Sequence, residues 1–252
     1  MHSTLTTDLS ILHANLKKTT DMDKVNVVLI KTGAFNPIHR AHISNMIKTK
    51  EYLERVHGFR VIGGYLSASH DQYVQAKLDD EFISGYHRIR MCEEAIKEVN
   101  QQHWLSVDRA EIITHQLITL LKVTLSLQMF INEMLKLVRP IRVIYVAGLD
   151  LFNDCHGMKG MQQSPWNGVA VVYRSDTQEH LIKEMHSLTS EKLYYLRDDS
   201  AENQTETLNQ ISSTQIRQMM KNGQSCEHLT YSSVLNYLKM ISIENFSQVS
   251  SS

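Results

Sequence analysis

Two histidines three residues apart, His39 and His42, stand just beyond a glycine turn in the stretch Val25–His42, VNVVLIKTGAFNPIHRAH. Imidazoles at that spacing share one face of a helix, where they can hold phosphate oxygens and steady growing negative charge. The same spacing can ligate zinc, so the pair alone does not decide the chemistry. Its surroundings narrow the choice. The β-branched run Val25, Val27, Val28, Leu29, Ile30 reads as a buried strand. It breaks at Gly33, passes Ala34 and Phe35, turns through Asn36-Pro37 and opens a helix near Arg40. A strand, a glycine turn and a helix start bring free backbone N–H groups and the positive end of a helix dipole to one point. That is a geometry for binding phosphate.

A second stretch, ISSTQIR from Ile211 to Arg217, offers complementary chemistry. Ser212 or Ser213 caps a helix start, where hydroxyls and free N–H groups can bind phosphate, and Arg217 can reach the same site. A surface helix with an ordinary cap would look the same, and it is the pairing with GAFNPIHRAH that argues for phosphate. Other clusters read as structure. Asp198, Asp199 and Glu202 suit a solvated acidic loop better than a metal site, and Met158, Met161, Met219 and Met220 suit packing. No metal-ligand set is expected, and no G-x-x-x-x-G-K-[ST] loop occurs.

The elements that must position these residues follow from periodicity. Apolar runs predict strands at FRVIGGYLS, at Trp104–Val107, and at IRVIYVAG, GVAVVYR and KLYYLR. Helical stripes predict helices from Arg40 to about Val56, Tyr86 to Val99, His115 to Val138, Ser212 to about Asn222 and Tyr231 to Met240. Between them, HDQYVQAKLDDEFISGY reads as a polar loop and LFNDCHGMKGMQQSPWNG as irregular. Alternating strands and helices make an α/β fold, a Rossmann-like doubly wound parallel sheet with C-terminal helices beside it. The expected layout is an N-terminal arm over 1–23, one domain over 24–242 and a polar tail over 243–252.

Bulk properties set further bounds. A formal net charge of −1 over 252 residues gives no global field toward nucleic acid or membrane, and no apolar run has transmembrane length. The first residues lack the features of a secretory signal. Three scattered cysteines suggest neither a disulfide framework nor a zinc site. A cytoplasmic or nuclear protein is expected, and a homo-oligomer is left open.

With these residues in view, GAFNPIHRAH resembles the G-x-F-[DN]-P-x-[HT]-x-x-H signature of the nucleotidylyltransferase superfamily, and ISSTQIR its I-S-S-T-x-[IV]-R element. Intermediate stretches bring the resemblance closer to eukaryotic-type nicotinamide or nicotinate mononucleotide adenylyltransferases. GGYLSASHDQYVQAKL is similar to their S-P-V-x-D-x-Y-x-K-K-x-L, and WLSVDRAE to their W-x-x-V-D-x-W-E. AGLDL is similar to G-x-D-L, while YHRIRMCEEAI and VVYR match a helix and a strand end. The resemblance implies ATP with Mg²⁺ and a mononucleotide as substrates, with His42, His39 and Arg217 acting at the triphosphate. It further implies an ATP site of Gly33, Ala34, Phe35, His39, His42, Gly148, Asp150, Ser212, Ser213, Thr214 and Arg217. Tyr73, Lys77 and Arg174 would lie near the mononucleotide or its phosphates.

The chain also departs from that pattern. Two tryptophans commonly sandwich the pyridine ring in the family; Ala110 stands at the first position and no Trp at the second. Either Tyr73, His156 or Trp166 fills the gap, or the ring is bound differently, or the acceptor is another phosphorylated molecule. A non-catalytic nucleotide-binding or chaperone-like relative is the remaining alternative.

Overall fold

A computed structural model describes residues 1–18, 23–114, 116–158, 160–161, 164–174, 192–198 and 211–249, and the side chains of Gly157, Arg174, Asp198 and 242–249 lie outside that description. The expected acidic loop after Asp198, with Asp199 and Glu202, lies outside the described residues, as does His115.

In chain order the strands are β1 (Asn26–Gly33), β2 (Arg60–Ala68), β3 (Leu105–Asp108), β4 (Arg142–Gly148), β5 (Asn167–Arg174) and β6 (Leu193–Asp198). They form one parallel sheet in the order β3-β2-β1-β4-β5-β6. The Rossmann-like expectation holds: this is a doubly wound order whose direction reverses between β1 and β4. Each central strand is buried on both faces, which is why its sequence reads as a continuous apolar run. One face packs Val27, Leu29, Val61 and Leu66 against α2 (Arg40–His57), α4 (Gly85–Glu98) and α9 (Ser232–Val249). The other packs Val28, Ile30, Tyr145 and Val171 against α1 (Ser10–Leu16) and α6 (Leu120–Leu135). Met158 and Met161 are buried in this second core, as the packing reading expected.

The switch point shows in the register. β1 pairs with β2 as far as Gly33↔Ala68, and β4 with β5 as far as Gly148↔Val172. The ladder between β1 and β4 ends sooner, at Ile30↔Tyr145. Beyond it the two strands part and open a crevice at their carboxyl ends.

Several elements differ from the sequence reading. The expected N-terminal arm is built into the fold: Leu9 and Leu12 are buried, and Leu12 fills the space beside Gly63, where a Cβ would collide with it. Thr7 donates to Asp108 at 2.6 Å, Asn15 to the Ile62 carbonyl at 2.9 Å, and Tyr65 to the Asp8 carbonyl at 2.7 Å. At the other end, α9 carries helical backbone through most of the expected polar tail.

The expected polar loop after β2 contains α3 (Asp71–Leu78) and a 3-10 turn, Asp79–Glu81. The His70 side chain caps α3 by accepting from the Gln72 N–H, with Asp71 in the first turn. Between α4 and α6 comes a short α5 (Ala110–Ile113). The long helix expected from His115 starts only at Leu120, where the Thr119 hydroxyl accepts from Lys122 N–H, and ends at Lys136 in the left-handed region. The expected irregular segment opens with α7 (Leu149–Asp154).

Candidate functional site

The crevice is walled by the turn after β1. Gly33 lets the turn close tightly: a Cβ there would sit 3.0 Å from the Phe35 ring, which folds back over the glycine and would have to shift. Phe35 takes a left-handed φ of 48° and is buried, and its ring meets His42 edge-on with centroids 4.9 Å apart. The turn then delivers α2, with His39 at the N-cap and His42 in the first turn.

The two rings stack, 3.6 Å between centroids. The backbone N–H of His39 donates to His42 Nδ1 at 3.2 Å. Nδ1 is therefore an acceptor, and a neutral His42 ring must carry its proton on Nε2 as a donor. Burial, His39 and then Lys31 hold His42 well below the usual histidine range. Burial and Lys31 bring His39 down to about 3. Both rings are neutral near pH 7.

Lys31 is the residue sequence reasoning missed. It lies on β1 on the same face as Leu29, is buried, and donates to the Val146 carbonyl at 3.3 Å. Val146 belongs to the part of β4 that has already left the β1 ladder, so the ammonium bridges the opening crevice. Burial lowers its pKa to about 8, which leaves it mostly charged near neutrality. Its signal was a lysine inside the apolar run VVLIKTG, a place where lysine is rare unless it has work to do.

The ISSTQIR segment arrives from the far end of the chain and bonds to the turn after β1. Ser212 caps α8 (Ser213–Lys221) by accepting from Gln215 N–H at 3.1 Å. Ser213 Oγ donates to the Pro37 carbonyl at 2.8 Å. Arg217 donates to the Asn36 carbonyl at 2.9 Å, to Glu81 at 2.6 Å and to Thr214 at 3.2 Å. Arg217 here ties α8 to the turn through Glu81, a carboxylate partner the sequence did not announce. The segment before α9 completes the clasp: Thr230 donates to the Ile38 carbonyl at 2.6 Å, and the Leu229 carbonyl accepts from Arg40 N–H at 3.0 Å.

A second unannounced residue is Arg88 of α4, fully buried. Its guanidinium donates to the carbonyls of Ile83 (2.9 Å), Ala34 (2.7 Å) and Ser69 (2.7 Å) and to Asp71 (2.6 Å). One side chain thus fixes the ends of β1 and β2 and the start of α3. Arg88→Met should destabilise the protein by about 3–5 kcal/mol, because carbonyls and a carboxylate lose a buried charged donor. Denaturant unfolding reads this directly; a loss below about 1 kcal/mol would show that the network is dispensable.

On the Thr32 side of β1 lies a cleft of about 550 Å³ lined by Gly33, Ala34, Ser69, Tyr73, Lys77 and Glu111, with Leu117, Ile118, Leu120, Leu151 and Cys155 as an apolar wall. Tyr73 and Lys77, the residues expected near the mononucleotide, both line this cleft. Gly148 stands across the crevice as the N-cap of α7, with open space where a Cβ would be, and Asp150 is exposed in the first turn of that helix. Arg174 ends β5, and its side chain lies outside the described residues.

Ala110 is buried at the start of α5 and contributes no ring. The Trp166 carbonyl accepts from Val143 N–H at the amino end of the sheet, opposite the crevice. His156 is exposed and does not line the cleft. Trp104 is core, its indole N–H bonded to Gln101. Of the candidates only Tyr73 borders the cleft, so the ring space is mostly aliphatic.

The cytidylyltransferase-like family model matches residues 30–219. The chain is similar to nicotinamide/nicotinic acid mononucleotide adenylyltransferase 2 of Saccharomyces cerevisiae, 26% identical over 90% of this chain and 58% of that protein. The yeast adenylyltransferase 1 of the same name is 27% identical over 90% of the chain and 57% of its own length. The adenylyltransferase 2 of Danio rerio is 37% identical over 35% of the chain and 27% of its own length. The matches thus span about a quarter to somewhat over half of these relatives. Among the described residues no helix is long and apolar enough to cross a membrane.

Proposed function

The chain belongs to the cytidylyltransferase-like family, and on that premise we propose that it transfers the adenylyl group of ATP to nicotinamide or nicotinate mononucleotide. A phosphate oxygen of the mononucleotide attacks the α-phosphorus of ATP. The bond from that phosphorus to the bridging oxygen breaks, and pyrophosphate leaves as the dinucleotide forms. The observation that carries this reading is the parting of β1 and β4 beyond Ile30↔Tyr145, with a cationic cradle on one side of Gly33 and an acceptor-sized cleft on the other.

Such a transfer needs alignment and charge stabilisation more than covalent help from the protein. In the proposed arrangement the triphosphate lies over the turn, at the start of α2 and facing α8. His42 donates from Nε2 to the oxygens that gain charge, His39 stacks against it, and the Lys31 ammonium supplies fixed positive charge. Ser212, Ser213, Thr214 and Arg217 close the far side. Adenosine lies toward Gly148 and Asp150, and the mononucleotide lies in the cleft with Tyr73 and Lys77 toward its phosphate.

The donors in the cradle are N–H groups and cations, which match phosphate oxygens rather than a bare divalent ion. Magnesium accordingly enters on the nucleotide, as part of an MgATP substrate. Among the described residues no cluster of three or more His, Cys, Asp or Glu has metal-binding geometry.

The aliphatic cleft favours one second reading, transfer to a different phosphorylated acceptor. Pyrophosphate release with ATP and each pyridine mononucleotide separates the two. Turnover with either supports the proposal. Turnover only with another phosphorylated acceptor would overturn the choice of substrate and keep the class of reaction.

A further inference from the structure

Within the cleft, one carboxyl group has an oxygen without a partner. Glu111, the second residue of α5, is 6% exposed and borders the cleft. Its Oε1 accepts from the His70 backbone N–H at 3.2 Å, whereas Oε2 is buried and accepts nothing. A buried acceptor left unpaired is costly in a native fold, and such a group beside a ligand cleft is paired when the ligand is bound.

Resting on the reading that this cleft takes a pyridine mononucleotide, we propose that Glu111 sets the acceptor preference, selecting the carboxamide ring over the carboxylate ring. A carboxamide offers an N–H to Oε2, and the pyridinium charge adds attraction from the same side. The nicotinate ring brings a second carboxylate, which repels an ionised Glu111. The apolar wall of Leu117, Ile118, Leu120 and Leu151 strengthens both effects by excluding water.

The preference is also tied to pH. Burial pushes the Glu111 carboxyl up to about 7; the His70 N–H works against this, Asp108 on β3 adds to it, and Arg88 on α4 opposes it. The Tyr145 hydroxyl on β4 also faces this region, held by Thr32 at 2.7 Å, and stays protonated because burial raises its pKa. The Arg88 guanidinium is occupied by Ile83, Ala34, Ser69 and Asp71, so the charge on Glu111 is left for the ligand to meet. Glu111 is half-ionised near neutrality and gains charge as pH rises. The nicotinate carboxylate stays ionised over the same range, and both acceptors carry the same phosphate, whose titration cancels in a ratio.

The test is the ratio of kcat/KM for nicotinamide over nicotinate mononucleotide, measured from pH 6 to pH 8 on the whole protein. In the unaltered chain the ratio should climb about tenfold, the scale of one hydrogen bond to a charged group. In Glu111→Gln it should be flat with pH and close to the low-pH value of the parent. Turnover of both acceptors with a ratio insensitive to pH and to Glu111→Gln would overturn this inference and leave the adenylyl-transfer reading standing. Turnover of neither acceptor by the unaltered chain would overturn that reading, and the inference with it. The pH series needs no variant, so a poorly folding Glu111→Gln does not blunt the test.

Discussion

Replacing His42 by alanine should lower kcat by about 100- to 1,000-fold while KM for ATP changes far less. That is the scale for losing one preorganised donor to charge that develops in the transition state. His39 N–H holds His42 Nδ1 as an acceptor, so the proton sits on Nε2. Burial, His39 and Lys31 keep the ring neutral, so it binds the ground-state triphosphate as a single donor rather than as a cation. Its contribution is therefore concentrated where negative charge grows. His42→Asn, which retains a side-chain N–H, should recover part of the loss. A His42→Ala variant with full kcat and intact fold would remove His42 from the mechanism.

Lys31→Met should separate stability from activity. The fall of its pKa from the usual 10.5 to about 8 corresponds to about 3 kcal/mol against the charged form in the folded state. The sign follows from proton counts. Between about 8 and 10.5 the unfolded chain holds more protons at this site than the folded one, so stability rises with pH across that window. Below about 8 both states are protonated and the full cost is present. Lys31→Met removes the buried ammonium with little change of shape. At pH 7 it should gain about 1–3 kcal/mol of stability, reduced by the lost bond to Val146, and flatten the rise between pH 8 and 10.5. Activity should fall, on the order of tenfold or more in kcat/KM for ATP, because a desolvated cation beside the two histidines is gone. A variant that loses stability and keeps its ATP kinetics would show that Lys31 is structural. The gain expected here is the usual mark of a group kept for function at the expense of the fold.

The sequence made the parallel sheet legible because fully buried strands write unbroken apolar runs, as in VNVVLI and IRVIYVAG. It also brought out GAFNPIHRAH and ISSTQIR, two segments that the structure packs together through Ser213 and Arg217. Short elements were harder. α3 buries only Val74, so no stripe betrays it, and its cap is a histidine rather than the usual Ser, Thr, Asp or Asn. The N-terminal segment gave Leu9, Leu12 and Leu16 as a short stripe, but not the surface that receives them, which Gly63 makes by leaving a gap for Leu12. Long-range pairings were invisible for the same reason. Arg88 reads as one basic residue in a helix, yet its partners lie before and after β2, at Ala34, Ser69, Asp71 and Ile83. Glu81, which holds Arg217, sits in a run of exposed acids that looks solvated.

The tryptophan departures were legible as a gap, and the cleft beside β1 is lined by aliphatic residues and Tyr73, with an unpaired Glu111 oxygen among them. In the proposed function GAFNPIHRAH and ISSTQIR serve the transfer, while the acceptor is chosen in the cleft on the other side of β1.

The central claim is chemistry at the α-phosphorus of ATP, and the most direct measurement follows a label placed there. With ATP labelled at the α-phosphorus and a pyridine mononucleotide as acceptor, the label should appear in a dinucleotide, while label from the γ-position appears only in pyrophosphate. Transfer of the γ-label to the acceptor, or no incorporation of the α-label with any phosphorylated acceptor, would contradict the account.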